Sequence, residues 1–129
     1  MFQGVHHIGY MTDDVAAAKK MFAELFDGVV IGEGSNPEGN KMVFMRMGTF
    51  EVELIEPADK SRLGGKKGLI IDHVGLFVPD FDGAKAKLAQ KGVKFAAGGP
   101  MVSATKDTIH YMETESTLGT KIHLTKARG

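Results

Sequence analysis

Three histidines and a glutamate stand at matched places in this chain, and imidazole and carboxylate are the side chains that hold a divalent metal when no thiolate is present. His7 lies in Val5-His6-His7-Ile8-Gly9-Tyr10 and His73 in Ile71-Asp72-His73-Val74-Gly75-Leu76. Each is followed by an aliphatic residue, a glycine and, at the same spacing, an aspartate, Asp14 or Asp80. The far ends of the two halves match as well, with Glu53 in Glu51-Val52-Glu53-Leu54-Ile55 and His123 in Thr120-Lys121-Ile122-His123-Leu124. Self-similarity of this kind marks two copies of one supersecondary unit. A single strand histidine is more often a satisfied packing residue than a ligand, but four candidates at equivalent repeat places are hard to explain as packing.

Alternation along the strands says where the four side chains point. His7 is flanked by His6 and Ile8, Glu53 by Val52 and Leu54, His73 by Asp72 and Val74, and His123 by Ile122 and Leu124. Successive strand residues face opposite sides, so the aliphatic neighbours that pack under a helix put all four candidates on the helix-free face. If the two sheets curve together, four ligands from two halves converge on one metal.

The elements that must position them follow from period and punctuation. Module one spans about residues 1–58: a strand over Gly4–Met11, a helix over Val15–Phe26 capped by Thr12-Asp13-Asp14 and stopped by Asp27-Gly28, then a short strand over Val29–Gly32. Glu33 to Asn40 is rich in turn formers and reads as a loop, and Lys41–Met47 with Phe50–Glu56 reads as a hairpin about Gly48-Thr49. Residues 59–68, with Lys60, Arg62, Lys66 and Lys67, form an exposed connector whose charge is solvation. Module two, about 69–129, repeats the plan: a strand over Leu69–Val78, a helix over Phe81–Gln90, a short strand over Val93–Ala96, a turn at Gly98-Gly99-Pro100, and a hairpin of Thr108–Thr114 with Thr120–Thr125 about Glu115–Gly119. The expected class is α+β, two βαβββ modules forming a half-open mixed-sheet barrel around a metal cleft, in one domain.

Composition bounds the rest. Lys+Arg and Asp+Glu both number 16, so no global field favours nucleic acid or an anionic membrane. With no cysteine there is neither a disulfide framework nor a thiolate site. No stretch has the apolar length of a membrane span, and the start lacks a signal-peptide pattern, so a soluble cytoplasmic protein is expected. His6 has the wrong parity for the candidate site and is expected to pack or hydrogen-bond on the helix side; His110 lines the open face or a solvated edge. The eight methionines read as core filler, and no glycine-rich loop has the strand-to-helix context of a phosphate site.

The doubled plan, with His-Ile-Gly opening one half, Glu-Leu-Ile-Glu-Pro closing it and His-Val-Gly opening the next, resembles the vicinal oxygen chelate superfamily over essentially the whole chain. The second half, especially Tyr111 to Ile122, looks most like methylmalonyl-CoA epimerase and its glyoxalase-like relatives. The resemblance implies paired βαβββ modules, a divalent metal in the cleft and a homodimer. Its ligand places fall on His7, Glu53, His73 and His123. The last place is usually Glu in that family, and in the epimerases and glyoxalases that carboxylate or its partner takes part in moving the proton; this chain has His123 there.

Three imidazoles and one carboxylate suit Zn, Co, Ni, Fe or Mn better than Mg or Ca, and six-coordinate geometry leaves two adjacent positions for a substrate with neighbouring oxygens. The cation then stabilises the enolate formed when the carbon beside them loses a proton. Glu53, Glu38 and Glu51 are the candidate bases. The leading expectation is a metal-dependent isomerase or epimerase, or a lyase, acting by proton abstraction next to a carbonyl. The alternative is a binding module that captures a small molecule without turnover. An extradiol-type dioxygenase is less favoured, because that chemistry wants two His and a carboxylate at the last ligand place. If the substrate is an acyl-CoA, Lys41, Arg46, Lys106 and Lys121 are candidate phosphate partners.

Overall fold

A computed structural model describes residues 1–126; 127–129, assigned above to module two, lie outside the described residues. The elements run β1 (Gly4–Thr12), α1 (Val15–Phe26), β2 (Val29–Ser35), β3 (Lys41–Met47), β4 (Phe50–Glu56), β5 (Leu69–Val78), α2 (Phe81–Gln90), β6 (Met101–Val102), β7 (Thr108–Tyr111) and β8 (Lys121–Lys126). This is the expected α+β succession of two βαβββ modules. By contacts, residues 7–72 form one compact unit, and the second takes in 73 onward with residues 1–6, so β1 begins in one unit and ends in the other.

In the 7–72 unit the strand order is β2-β3-β4-β1. β2, β3 and β4 pair antiparallel, while β4 lies parallel to β1. Helix α1 covers one face. Its stripe of Ala18 and Phe22 packs on Val43, Met45, Val52 and Leu54, with Tyr10 at the margin. The helix starts where Asp14 Oδ1 accepts the Ala17 N–H at 3.0 Å, and it ends at Asp27, whose φ of 56° turns the chain left-handed. The closure that follows is tight: a Cβ on Gly28 would stand 2.7 Å from Met47 Sδ and 3.1 Å from the Phe22 carbonyl, so a side chain there would force the Met47 thioether aside. A second tie holds the N-terminus, since Glu56 Oε1 accepts the Val15 N–H at 2.9 Å from the end of β4.

In the other unit the order is β5-β8-β7-β6, with β5 and β8 parallel and the remaining pairs antiparallel. Helix α2 is capped by Asp80, and Phe81 and Ala84 pack on Val78, Met112 and Leu124. The start of the chain joins this unit through the Gln3 N–H, which donates to the Phe77 carbonyl at 2.9 Å.

Three local expectations change. Val93–Ala96 is a single bridge from Phe95 to Met112 rather than a strand, and the pairing strand is β6, a few residues later. The preceding Lys91-Gly92 turn and the glycines at 98 and 99 leave too little regular backbone for a ladder there. β2 runs on to Ser35, past the expected end, because antiparallel pairing to Lys41 carries it through Glu33-Gly34. The turn before β8 winds into a 3-10 helix, Thr114–Thr117, which shortens β7 to Tyr111.

Candidate functional site

The two modules build equivalent half-sites, and the reason is the same parallel pairing in each. In β1 and β4, His7 stands opposite Glu51 and Gly9 opposite Glu53. In β5 and β8, His73 stands opposite Lys121 and Gly75 opposite His123. Paired residues of neighbouring strands share a face, so the His-x-Gly motif places a residue without a side chain beside the last-strand donor. The diagonal pair can then lean together over the glycine. His7 Nε2 lies 3.6 Å from Glu53 Oε2, and the His73 and His123 rings are 5.6 Å apart and tilted by 36°. In both units the opposite face carries the core under the helix, Val52 and Leu54 in one and Val78 and Leu124 in the other.

The imidazoles are withdrawn from water: His7 is 4% exposed, His73 5% and His123 0%. Burial, and next the neighbouring His73, push His123 down to about 4, so it stands as the neutral imidazole at ordinary pH. Its Nδ1 is 3.1 Å from the Thr125 hydroxyl and 3.4 Å from the Leu124 carbonyl. A proton on Nδ1 donating to these oxygens leaves the Nε2 lone pair for a metal. The donor set therefore fits a borderline divalent ion: two buried imidazoles in one half, and an imidazole beside a carboxylate in the other.

The other carboxylates named from the sequence lie differently. Glu51 is half-buried on the helix-free face, opposite His7 in β1 and Arg46 in β3. Glu38 is exposed in the β2–β3 loop, where its N–H donates to Asn36 Oδ1 at 3.1 Å and its carboxylate accepts from Asn40 Nδ2 at 3.4 Å. Among the cations, Lys41 pairs with Glu56 at 3.6 Å, away from the half-sites, and Lys106 sits in a left-handed turn before β7. Lys121 is on the face of the second half-site.

His6, expected to pack or hydrogen-bond, is 3% exposed, makes an edge contact with Phe77 at 4.5 Å and pairs with the buried Asp107 at 3.1 Å. His110 is not on an open face: it is buried under Phe95, 5.0 Å between centroids, with Nε2 donating to the Ala96 carbonyl at 2.9 Å. Its β7 register, opposite Leu124, puts it on the helix side. The residue that sequence reasoning passed over is Tyr111. It is opposite His123, and its ring meets the His123 ring at 4.9 Å and the His73 ring at 6.0 Å, both nearly perpendicular. The parity of β7 against β8 would have shown it, had the register been known.

The model of the glyoxalase/bleomycin resistance protein/dioxygenase superfamily matches residues 6–111. The chain belongs to that superfamily. The match stops at Tyr111, so His123 is placed by strand register and not by the family pattern. No curated protein matches the superfamily member described here. Solved structures do. Methylmalonyl-CoA epimerase from Mycobacterium tuberculosis is 18% identical, with a TM-score of 0.83 over 99% of this chain and 90% of that one. A selenomethionine methylmalonyl-CoA epimerase is 22% identical, with a TM-score of 0.82 over 100% and 98%. A methylmalonyl-CoA epimerase in complex with methylmalonyl-CoA and ammonium is 18% identical, with a TM-score of 0.81 over 100% and 97%. These likenesses show the fold, the paired-module α+β fold with a four-stranded mixed sheet order in each unit. No helix among the described residues is long and apolar enough to cross a membrane.

Proposed function

We propose that this superfamily member is a metal-dependent enzyme that removes a proton from a carbon beside a carbonyl, as an epimerase or isomerase of the methylmalonyl-CoA epimerase kind or a glyoxalase-like lyase. The observation that carries the reading is the pair of equivalent half-sites, His7 with Glu53 and His73 with His123, each made by a first and last strand in parallel. His7, Glu53, His73 and His123 would hold one divalent ion of the Zn, Co, Ni, Fe or Mn class. When bound, such an ion supplies Lewis-acid stabilisation of the negative charge that develops as the substrate loses its proton.

The chain's own residues do the rest. The three buried imidazoles keep water from the donors, and Thr125 fixes the orientation of His123. Glu53 is committed to the ligand set. Glu51, on the same face and opposite His7, is therefore the proposed base that removes the proton from one face of the carbon, and inversion then requires a proton delivered to the opposite face. Glu38, held by Asn36 and Asn40 in the loop, is the remaining base candidate and needs that loop to move. The substrate class is a small molecule with adjacent oxygens, with an acyl-CoA first in line because the epimerases of this fold act on one. A homodimer is part of the proposal. The exposed Leu25, Phe26, Val29, Val30 and Ile31, at the end of α1 and on edge strand β2, favour cover by a second copy.

The test combines metal analysis of the purified protein with solvent-deuterium exchange into methylmalonyl-CoA. Retained metal with deuterium wash-in supports the enzyme. Retained metal and bound thioester without exchange would instead make the chain a binding module. Changing His7 or His73 to Ala should strip most of the metal; unchanged metal content in both variants overturns the ligand assignment.

A further inference from the structure

On the helix-free face of the 7–72 unit, edge strand β2 presents backbone where the other strands present side chains. The register sets that face in rows across the sheet: Gly9, Glu53, Phe44 and Gly32 make one, and Met11, Ile55, Met42 and Gly34 the next. Glu33, between the two glycines, points the other way and pairs with Lys19 of α1 at 2.7 Å, which fixes the parity. Phe44 and then Gly32 therefore lie outward from Glu53, a proposed donor, and the row beside them is apolar.

Neither the backbone nor the packing asks for glycine at 32 and 34. Both residues lie in extended β2 without a positive φ. A Cβ on Gly32 would touch Phe44 Cδ2 at an ordinary 3.7 Å, and one on Gly34 would meet nothing within 4 Å. The register slips between Val30 and Gly32, and such a bulge accounts for one glycine at most. Glycine weakens a strand, and one that no turn or close packing requires marks a place where something approaches the backbone. Two residues of strand by one inter-strand spacing give a shelf of roughly 7 by 5 Å. Phe44 and Met42, both half-buried, wall it on the side of the donors. That is the footprint of one ring or one branched hydrocarbon chain.

We infer that Gly32, Gly34 and Phe44 are specificity-determining residues: the shelf receives a flat or branched hydrocarbon group carried next to the chelating oxygens, so the substrate bears there a group much bulkier than a methyl. The inference rests on the proposed metal site and names the substrate class for it. Met11 and Ile55, both buried, continue the apolar row inward, so this side of the site suits hydrocarbon and not charge.

Two chelators that differ by one phenyl group test it: acetohydroxamate and phenylacetohydroxamate, titrated calorimetrically into the zinc-loaded protein. Wild-type protein should bind the phenyl probe about tenfold more tightly, the effect of burying roughly 55 Å² of apolar surface. Gly32→Val and Gly34→Val fill the shelf. Each should remove most of that preference, leave acetohydroxamate binding unchanged and keep or raise the melting temperature, since valine suits an extended strand better than glycine. Phe44→Ala takes away the wall and should lose part of the same preference. A preference absent from the wild type, one undiminished in the variants, or equal weakening of both probes overturns the assignment and leaves the metal site standing. A lower melting temperature in both valine variants also overturns it, because the glycines would then be requirements of the fold. Failure of acetohydroxamate itself to bind the wild-type protein would instead remove the metal reading, and this inference with it.

Discussion

Thr125→Val tests whether His123 is held as a ligand must be held. The hydroxyl of Thr125 is 3.1 Å from His123 Nδ1, and neither residue has any exposed surface. The Leu124 carbonyl, also near Nδ1, is longer at 3.4 Å and a weaker acceptor. Valine keeps the shape and removes the hydroxyl partner from a fully buried position. Leaving a buried polar atom short of its partner costs about 1–2 kcal/mol, which in a domain of this size lowers the melting temperature by roughly 3–8 °C. The same hydroxyl orients the ring that presents Nε2, so metal affinity should fall about 10- to 100-fold, the range for loss of an outer-shell partner of a ligating histidine. Thermal unfolding of the metal-free protein and competitive metal titration measure the two effects separately. Thr125→Ser restores the hydroxyl and should recover most of both. A variant whose metal affinity stays within about twofold of wild type would refute the orientation argument, even if stability falls.

Other consequences follow from single residues. His123→Glu restores the carboxylate usual at that ligand place; metal content should survive and deuterium exchange into a small acyl-CoA should rise, whereas loss of metal and exchange together would make His123 a structural requirement of this site. Glu56 is held below the ordinary carboxylate value of 4.5, first by the Val15 N–H and then by Lys60 and Lys41. Its contribution is therefore present above that value and lost as pH falls through the lower folded one, so Glu56→Gln should flatten the acid side of the stability curve measured by urea unfolding. Phe22→Ala removes the ring that packs 5.9 Å from Tyr10 and 6.0 Å from Phe26 at the centre of the first core, and should cost about 3–5 kcal/mol by denaturant titration.

Local chemistry made much of this molecule legible. The bounds of α1, β3, β4, β5 and α2 follow from period, caps and punctuation. Asp14 and Asp80 cap the helices they precede because a short acidic side chain reaches the first free N–H groups without help from the rest of the chain. Strand parity likewise put His7, Glu53, His73 and His123 on the face away from the helices, since the pleat is a property of the strand itself.

What the chain alone left open is what depends on its neighbours. Nothing in β1 or β4 says that they run parallel and adjacent, yet that pairing sets Gly9 beside Glu53 and brings His7 within 3.6 Å of it. Register between β7 and β8 decides that Tyr111 faces the imidazoles while His110, one residue earlier, goes under Phe95. Val93–Ala96 has strand-forming residues but gains only one bridge, because a strand exists only where a partner's ladder continues. Periodicity is written in consecutive residues and can be read one segment at a time; pairing, register and the company a buried histidine keeps are long-range choices, fixed only when the whole sheet closes its hydrogen bonds at once.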